Sequence, residues 1–391
     1  MDNEKLLALA ERYGTPLYVF DADEFAARLR LVKEALGERI RLCYSMKANP
    51  FLLACLPPEL GALEVCSPGE LTVCENAGAD LSRIVFSGVN KTRECVDRAV
   101  EDGVEVFTVE SYLHLDNIEA AAAAAGKQAD VLLRLTSDNQ FGMDEEELVR
   151  AAAGRARWPH VNMVGLHYFS GTLKKRPTLI GRELGRMEAL AGRLERECAL
   201  KIERMEYGPG LWIDYFGDDP DAAERALLDE AAPLLRAMAE KFELTVEMGR
   251  FYSASCGWYI TKVMDKKTNC GFRYAIVDGG LHQMNYDGQM KGTAVPPICN
   301  LMAPQGEAED WCLCGSLCTP NDVLVRAVSM PEPALGDLLA FGRTGAYSIN
   351  EGFAFLLSRD LPAVVIYSES EGARLARGHI RLDPFNTPNI T

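Results

Sequence analysis

Eight short apolar runs alternate with helix-forming segments along the first 250 residues of the chain. The segments between the runs are rich in Ala, Leu, Glu and Arg. The runs are residues 40–44, 63–66, 84–87, 104–109, 131–135, 163–169, 202–207 and 244–248. Runs of this length followed by amphipathic helices are typical of βα units, and eight such units predict a closed (β/α)8 barrel. We predict this barrel over residues 25–250.

The pattern changes after Arg250. Short β-type segments follow at residues 257–263, 274–277, 323–328 and 363–367, separated by Gly, Pro, Asn and Asp turns. Residues 16–20, ahead of the barrel, are also strand-like. The sequence therefore predicts an α/β fold, an N-terminal TIM barrel plus an all-β domain formed by residues 1–24 and 251–391.

Composition narrows the range of partners. The net charge of −16 argues against nucleic acid or an anionic membrane surface as the main partner, because both require a basic face. No apolar run approaches the roughly 18 residues that span a bilayer, and the opening residues lack the regions of a signal peptide. We expect a cytoplasmic protein without a membrane partner.

The twelve cysteines are scattered and mostly lie in apolar segments, which predicts free thiols. Cys312, Cys314 and Cys318 form the densest group. Their spacing differs from the paired C-x-x-C of zinc ribbons, and no histidine lies nearby in the sequence. We therefore predict no metal site.

Polar residues stand at the ends of the predicted barrel strands, where barrel enzymes carry their chemistry. Lys47 follows the first strand and Glu247 ends the eighth, so barrel closure should bring them together. The segment 208–210, Gly-Pro-Gly, follows the seventh strand at a position that often binds phosphate. A lysine, an acid and an anion site together suit pyridoxal phosphate. Taken alone, a lysine after a short strand is more often a surface residue, and a Gly-Pro-Gly segment is more often a plain turn.

Seven segments, in order along the chain, resemble one family. They are residues 14–21 (GTPLYVFD), 44–49 (YSMKAN), 86–88 (FSG), 247–250 (EMGR) and 278–280 (DGG), Cys318 with Asp322, and residues 345–347 (GAY). This set is similar to the fold-type III pyridoxal-phosphate-dependent decarboxylases of the diaminopimelate and ornithine group, whose barrel is like that of alanine racemase. The resemblance implies an amino-acid α-decarboxylase that binds pyridoxal 5′-phosphate and works as a homodimer.

The resemblance also implies roles for individual residues. Lys47 would hold the cofactor as a Schiff base until the substrate amine displaces it, and Glu247 would pair with the pyridine nitrogen. Cys318, supplied by the partner subunit, or Lys47 would return a proton to Cα after CO2 leaves. The residues implied around the phosphate are Ser170, Gly171, Gly208, Gly210, Gly249, Arg250 and Tyr347.

One departure concerns the cofactor ring. The family's sixth strand carries an H-x-H-x-G motif whose second histidine stacks on the ring. His167 matches the first histidine, and Phe169 stands in place of the second. An aromatic ring can still stack there, although it cannot hydrogen-bond or titrate as histidine does.

A second departure concerns the substrate. Diaminopimelate and ornithine decarboxylases carry an acid directly after the partner-subunit cysteine, and that acid holds the distal ammonium. Here Thr319 follows Cys318 in place of that acid, and Asp322 or Glu351 are the candidates to hold a distal ammonium instead. Residues 281–286 also lack the arginine and tyrosine that grip the far carboxylate of diaminopimelate. The Cys-Thr-Pro-x-Asp pattern resembles relatives that decarboxylate a glutamyl group on an acyl-carrier protein, so both a free amino acid and a carrier conjugate remain candidate substrates.

Two other functions compete with decarboxylation. Racemases on this barrel place an arginine at the pyridine nitrogen and use a tyrosine as second base, so Glu247 with Cys318 favours a decarboxylase. A carboxylate there keeps the ring nitrogen protonated and the ring a strong electron sink. A non-catalytic cofactor-binding homologue is disfavoured because Lys47 and Cys318 are both present.

Overall fold

The computed structural model describes residues 1–289 and 291–389. Its strands, in chain order, are β1 (Leu17–Asp21), β2 (Arg41–Ser45), β3 (Leu60–Val65), β4 (Ile84–Phe86), β5 (Val106–Val109), β6 (Ala129–Arg134), β7 (Val161–Phe169), β8 (Arg204–Gly208), β9 (Glu243–Met248), β10 (Gly257–Asn269), β11 (Phe272–Val277), β12 (Ile298–Asn300), β13 (Ala308–Cys314), β14 (Val323–Pro331), β15 (Leu338–Gly342), β16 (Ala363–Ser368) and β17 (Gly372–Arg377). Its α-helices are α1 (Asn3–Tyr13), α2 (Ala22–Leu36), α3 (Pro68–Asn76), α4 (Arg93–Glu101), α5 (Tyr112–Ala125), α6 (Glu145–Ala153), α7 (Pro177–Cys198), α8 (Pro220–Ala239), α9 (Arg250–Ser253) and α10 (Asp383–Asn386).

The chain divides into two compact units. The barrel unit comprises Arg28–Ile213 and Asp221–Phe251, and the β unit comprises Met1–Ala27, Asp214–Pro220 and Tyr252–Thr391. None of the helices in the described ranges is both long enough and apolar enough to cross a bilayer.

Strands β2 to β9 form a closed barrel in which each strand pairs with the next in parallel. Closure is made by β2 and β9, where Arg41 to Tyr44 pair with Thr245 to Met248. The predicted (β/α)8 barrel is confirmed, with strand ends shifted by a few residues from the apolar runs.

Four helices of the barrel begin at capping residues. The side chains of Ser67, Thr92, Ser111 and Asp144 each accept a hydrogen bond from the backbone N–H three residues further on. These bonds satisfy N–H groups that the first helical turn leaves without partners. They fix where α3 to α6 start, and thereby the short loops at the C-terminal ends of the strands.

The barrel interior changes character along its axis. One cluster of buried side chains consists of Cys43, Ala62, Val85, Val106 and Leu132. Two residues further along four of these strands, a step that returns to the same face of a strand, the chain carries polar groups. Those residues are Ser45, Glu64, Thr108 and Arg134. An apolar layer therefore lies below a buried polar layer at the C-terminal end.

The β unit is built on a mixed sheet. Its main path runs β14-β13-β11-β10-β1-β16-β17, and β15 pairs with both β10 and β12. Strand β1 lies between β10, which is antiparallel to it, and β16, which is parallel. The predicted fold of a barrel plus a separate β-sheet domain is confirmed, although this unit also contains helix α1 and we missed β12, β13, β15 and β17. Strand β15 is buried at all five positions and so lacks the alternation that identifies a half-buried strand.

Candidate active site

Lys47 lies at the mouth of the barrel, in a 3₁₀ turn that directly follows β2. Its Nζ donates to Glu64 Oε1 at 2.8 Å and Oε2 at 2.5 Å, and lies 3.3 Å from Cys66 Sγ. Glu247 Oε1 is 3.8 Å away. Strand β2 lies between β3, which carries Glu64, and β9, which carries Glu247. The expected approach of Lys47 and Glu247 is therefore present, and Glu64 is an additional partner that we did not predict.

Glu247 is 8% exposed and is held at both oxygens. Ser45 Oγ donates to its Oε1 at 2.8 Å, and His167 Nε2 lies 3.1 Å from its Oε2. Burial alone would raise the pKa of this carboxyl group, but the contacts with His167, Lys47 and Ser45 outweigh burial and lower the pKa. Glu247 is therefore ionised at neutral pH.

His167 is buried beside this carboxylate. Burial lowers the pKa of its imidazole, and the bond to Glu247 only partly opposes that effect. The ring is therefore neutral near pH 7. Because an ionised carboxylate can only accept, the single ring proton belongs on Nε2, and Nδ1 has no partner among the described residues.

A cavity of about 410 Å³ opens among these side chains. Of the predicted site residues, it is lined by Lys47, His167, Phe169, Ser170, Gly171 and Glu247. Arg134, on β6, also lines the cavity; its Nη1 donates to Glu110 Oε1 at 2.9 Å, and its guanidinium carbon lies 4.9 Å from the centre of the Phe141 ring. The structure thus brings six predicted residues to one pocket.

The glycines at the barrel mouth allow close backbone packing. Gly210 has φ +57°, and a Cβ atom there would lie 2.0 Å from the carbonyl oxygen of Gly171. A Cβ atom on Gly208 would lie 2.6 Å from the Phe169 ring, and one on Gly249 would lie 2.7 Å from Ala48 Cβ. A side chain at any of these positions would displace a loop of the site.

Ser170 is held from the side of α7. Its hydroxyl donates to Glu183 Oε1 at 2.5 Å, and Glu183 Oε2 accepts from Lys174 Nζ at 2.7 Å and from Tyr207 OH at 2.5 Å. This network fixes the loop after β7. Arg250 is buried and begins α9 directly after Gly249.

Four predicted site residues belong to the β unit. Cys318 is exposed and Thr319 partly buried, while Tyr347 is partly buried with a left-handed backbone at φ +63°. Asp322 is only 3% exposed. Its Oδ1 accepts from the Leu281 N–H at 2.8 Å and its Oδ2 from the Leu317 N–H at 2.7 Å. Asp322 therefore ties together the loops that carry Leu281 and Leu317, and its expected contact with substrate stays a prediction.

The densest predicted cysteine group also lies in the β unit. Cys312 Sγ and Cys314 Sγ are 3.6 Å apart on β13. Among residues 1–289 and 291–389, the side chains that come close enough to hold a cation are instead His167, Glu206 and Glu247, whose ligand atoms all lie within 4.8 Å of one another. Glu206, on β8, is a further residue that our sequence reasoning missed.

The barrel-mouth side chains fit pyridoxal phosphate. The cavity presents one lysine Nζ, a buried ionised carboxylate across from it and an aromatic face at Phe169. Glycine backbone beside the cavity can offer N–H groups to a phosphate, since no Cβ atom shields them. These are the parts that this cofactor requires of a protein.

Comparison with known proteins gives the same result. Residues 22–254 match the family described as "Pyridoxal-dependent decarboxylase, pyridoxal binding domain". The chain is 32% identical to the diaminopimelate decarboxylase of Pseudomonas aeruginosa, over 88% of this chain and 85% of that protein. It is 27% identical to the L-glutamyl-[BtrI acyl-carrier protein] decarboxylase of Niallia circulans, over 94% and 92%.

A solved structure agrees with these sequence matches. The diaminopimelate decarboxylase of Methanocaldococcus jannaschii, in co-complex with L-lysine, superimposes with a TM-score of 0.86 at 26% identity, covering 99% of this chain and 94% of that one. Fold, barrel-mouth geometry and sequence matches thus agree over nearly the whole length. The chain belongs to the pyridoxal-dependent decarboxylases.

Proposed function

We propose that this protein is a pyridoxal-phosphate-dependent α-decarboxylase acting on an amino acid whose distal end carries no free ammonium group. One observation carries the catalytic part of this proposal: Lys47 and the ionised Glu247 share one cavity, with Nζ and Oε1 3.8 Å apart. Bound pyridoxal phosphate supplies the electron sink that accepts the electron pair left on Cα when CO2 departs.

The residues of the barrel have distinct roles in this proposal. Lys47 Nζ would be the attachment atom for the cofactor, and Glu64 would hold that amine when no cofactor is attached to it. Glu247 would keep a proton on the pyridine nitrogen, and neutral His167 orients Glu247 through its Nε2–H. Phe169 covers one face of the ring. The phosphate would be bound by the segments that carry Ser170, Gly171, Gly208, Gly210, Gly249 and Arg250, and the phosphate contact that the resemblance implies for Tyr347 stays a prediction.

The distal part of the substrate is inferred from the β unit. Thr319 stands where diaminopimelate and ornithine decarboxylases are expected to carry an acid, and it has no charge with which to hold an ammonium group. Asp322 is buried and already accepts two backbone hydrogen bonds. These features favour an amidated, acylated or carrier-bound side chain, and the name of the Niallia circulans relative points to a glutamyl group on an acyl-carrier protein.

The experiment is a CO2-release screen over meso-diaminopimelate, free diamino acids, amidated amino acids and glutamyl carrier conjugates. We expect turnover of the blocked substrates and little of diaminopimelate. Thr319→Asp should shift turnover toward the free diamino acids, while the matched Thr319→Ser should not. Strong wild-type turnover of meso-diaminopimelate would overturn the substrate assignment. Exchange of the α-hydrogen without CO2 release would overturn decarboxylation in favour of racemisation.

We also infer a cytoplasmic homodimer with shared active sites. Cys318 is exposed on the chain, which suits a residue that meets the active site of a second copy. Mixing and reassociating inactive Lys47→Ala and Cys318→Ala proteins should restore activity, because mixed dimers regain one complete site. Lack of recovery in a mixture that demonstrably exchanges subunits would contradict sharing.

A further inference from the structure

Glu206 lies at the centre of the barrel, and neither the fold nor the proposed chemistry accounts for it. It is 2% exposed and pairs in register with His167 across β7 and β8. Its Oε1 has no hydrogen-bond partner among the described residues. An unpaired buried carboxylate is costly, so a glutamate retained there requires an explanation.

Glu206 adjoins the active site on one side. Its carboxylate, the His167 imidazole and the Glu247 carboxylate have ligand atoms within 4.8 Å of one another. Two buried carboxylates this close cannot both ionise at low cost. Glu247 has hydrogen-bond donors in Ser45 and His167 and a cation in Lys47, whereas Glu206 has no such set. The proton shared by this pair therefore belongs on Glu206.

Glu206 adjoins a second cavity on its other side. A space of about 260 Å³ at the N-terminal end of the barrel is lined by Glu206 together with Arg41, Glu105 and Arg204, and it reaches the apolar layer, because Val106 also lines it. This volume is large enough for several water molecules, each of which occupies roughly 30 Å³ of liquid. Glu206 lines the base cavity and Glu247 lines the mouth cavity, so this pair of neighbouring carboxyl groups spans the two cavities.

We propose that Glu206 holds a proton between the two cavities and exchanges it with Glu247. Protons from the base of the barrel would then reach the cofactor nitrogen that pairs with Glu247. The transfer is balanced: Glu206 gives its proton to the Glu247 carboxylate, which passes it on and returns to the ionised form, and Glu206 takes up a solvent proton relayed by water in the base cavity. Glu206 is thus a positioning residue that acts through Glu247. The effect of this proton exchange on the cofactor rests on the proposed function.

The electrostatic surroundings support this assignment. Burial and the charges of Glu247 and Glu64 raise the pKa of Glu206 well above its usual range, and Arg41 opposes them only weakly. The titratable and charged side chains that act on Glu206 or border its base cavity are Glu247, Glu64, Arg41, Cys43, His167, Arg39, Glu105, Arg204 and Glu243. The only cationic groups in this set are the three arginines on the base side.

The first test compares the full-length wild type with Glu206→Gln, which keeps the shape and removes the titration. Infrared difference spectra near pH 7 should show the C=O stretch of a protonated carboxyl group in the wild type alone. Thermal unfolding should follow pH as well. The folded chain keeps the Glu206 proton above the pH at which the unfolded chain loses it, so wild-type stability should fall relative to Glu206→Gln as the pH rises above about 5.

Glu243→Gln provides the matched control, because Glu243 lines the same cavity with a side chain that is 76% exposed. Its unfolding curve should stay parallel to that of the wild type across the same range. If Glu206→Gln is also parallel and no carboxyl band is lost, Glu206 is ionised and the proposal is overturned. These measurements need neither substrate nor cofactor, so they are independent of the proposed function.

The second test addresses the route. Pyridoxal phosphate reduced onto Lys47 with borohydride fills the mouth cavity permanently, and attachment is verified by absorbance. Transfer to D2O should then shift the Glu206 carboxyl band at the same rate as in the free protein, because the base cavity stays open. If exchange stops in the filled protein, protons enter through the mouth and the base route is refuted. A protein that never takes up the cofactor contradicts the proposed function and leaves the first test in force.

Discussion

Gly210→Ala tests whether the packing of the glycine loops is needed for cofactor binding. The new Cβ would lie 2.0 Å from the Gly171 carbonyl oxygen, well short of the 3.4 Å at which ordinary contact begins. Alanine at φ +57° also costs about 1–2 kcal/mol of backbone strain. Forcing an atom into such a packed contact adds about 1–3 kcal/mol unless the loop moves. In the free protein the loop can move and avoid this steric cost. Cofactor binding requires the original arrangement of the loop, so the steric cost then lowers the affinity for the cofactor.

Gly126→Ala is the control, because Gly126 has a similar φ of +64° and no atom within 4 Å of an added Cβ. Both variants should lose stability through the backbone strain of alanine at positive φ. This strain should lower the unfolding temperature by a few degrees, at roughly 2–4 °C per kcal/mol. Only Gly210→Ala should also lower the affinity for pyridoxal phosphate, by about tenfold to hundredfold, since 1.4 kcal/mol corresponds to a factor of ten. Cofactor titration followed by absorbance measures this. Equal affinities in the two variants would refute the reasoning.

Three further changes test other parts of the structure. Phe169→Leu should weaken cofactor binding several-fold, since an aromatic contact is worth about 0.5–1.5 kcal/mol beyond its area, and unchanged binding in a titration would contradict stacking. Burial lowers the pKa of Lys91 from 10.5 to about 8, although the charge of Glu110 opposes it, so the unfolded chain binds more protons between those values. Wild-type thermal stability should therefore rise relative to Lys91→Met from about pH 8 to about pH 10. Parallel stability curves for the two proteins would contradict the lowered pKa of Lys91. Arg28→Ala should lower the free energy of unfolding by about 3–5 kcal/mol, because it removes one member of the buried ion pair with Glu224, and a loss below about 1 kcal/mol in denaturant would refute this.

The barrel and its two principal site residues were predictable because they follow from periodicity. Eight apolar runs separated by helices specify a parallel barrel, and closure of the barrel places its first strand, β2, beside its last strand, β9. Lys47 and Glu247 are therefore neighbours by topology alone, although they are 200 positions apart in the chain. The glycines beside them were predictable as candidates, but the need for glycine depends on contacts that only the structure shows.

The partners inside the strands were harder to predict. Glu64 and Glu206 each lie within a buried strand, and we treated those strands as apolar runs. The available signal was a charged residue at an inward position of a strand buried on both faces, which is rarely tolerated without a function. The burial of Asp322 was not predictable, because its two hydrogen bonds come from backbone amides 41 and 5 residues away in the sequence.

The central claim, that cofactor chemistry takes place at Lys47 in the mouth of the barrel, is tested most directly by locating the covalent adduct. Pyridoxal phosphate is added, the Schiff base is reduced with borohydride, and the modified peptide is identified by mass spectrometry. The structure predicts a single pyridoxyl group on Lys47, absent in Lys47→Ala. An adduct on another lysine, such as the buried Lys91, or no adduct at all would contradict the account.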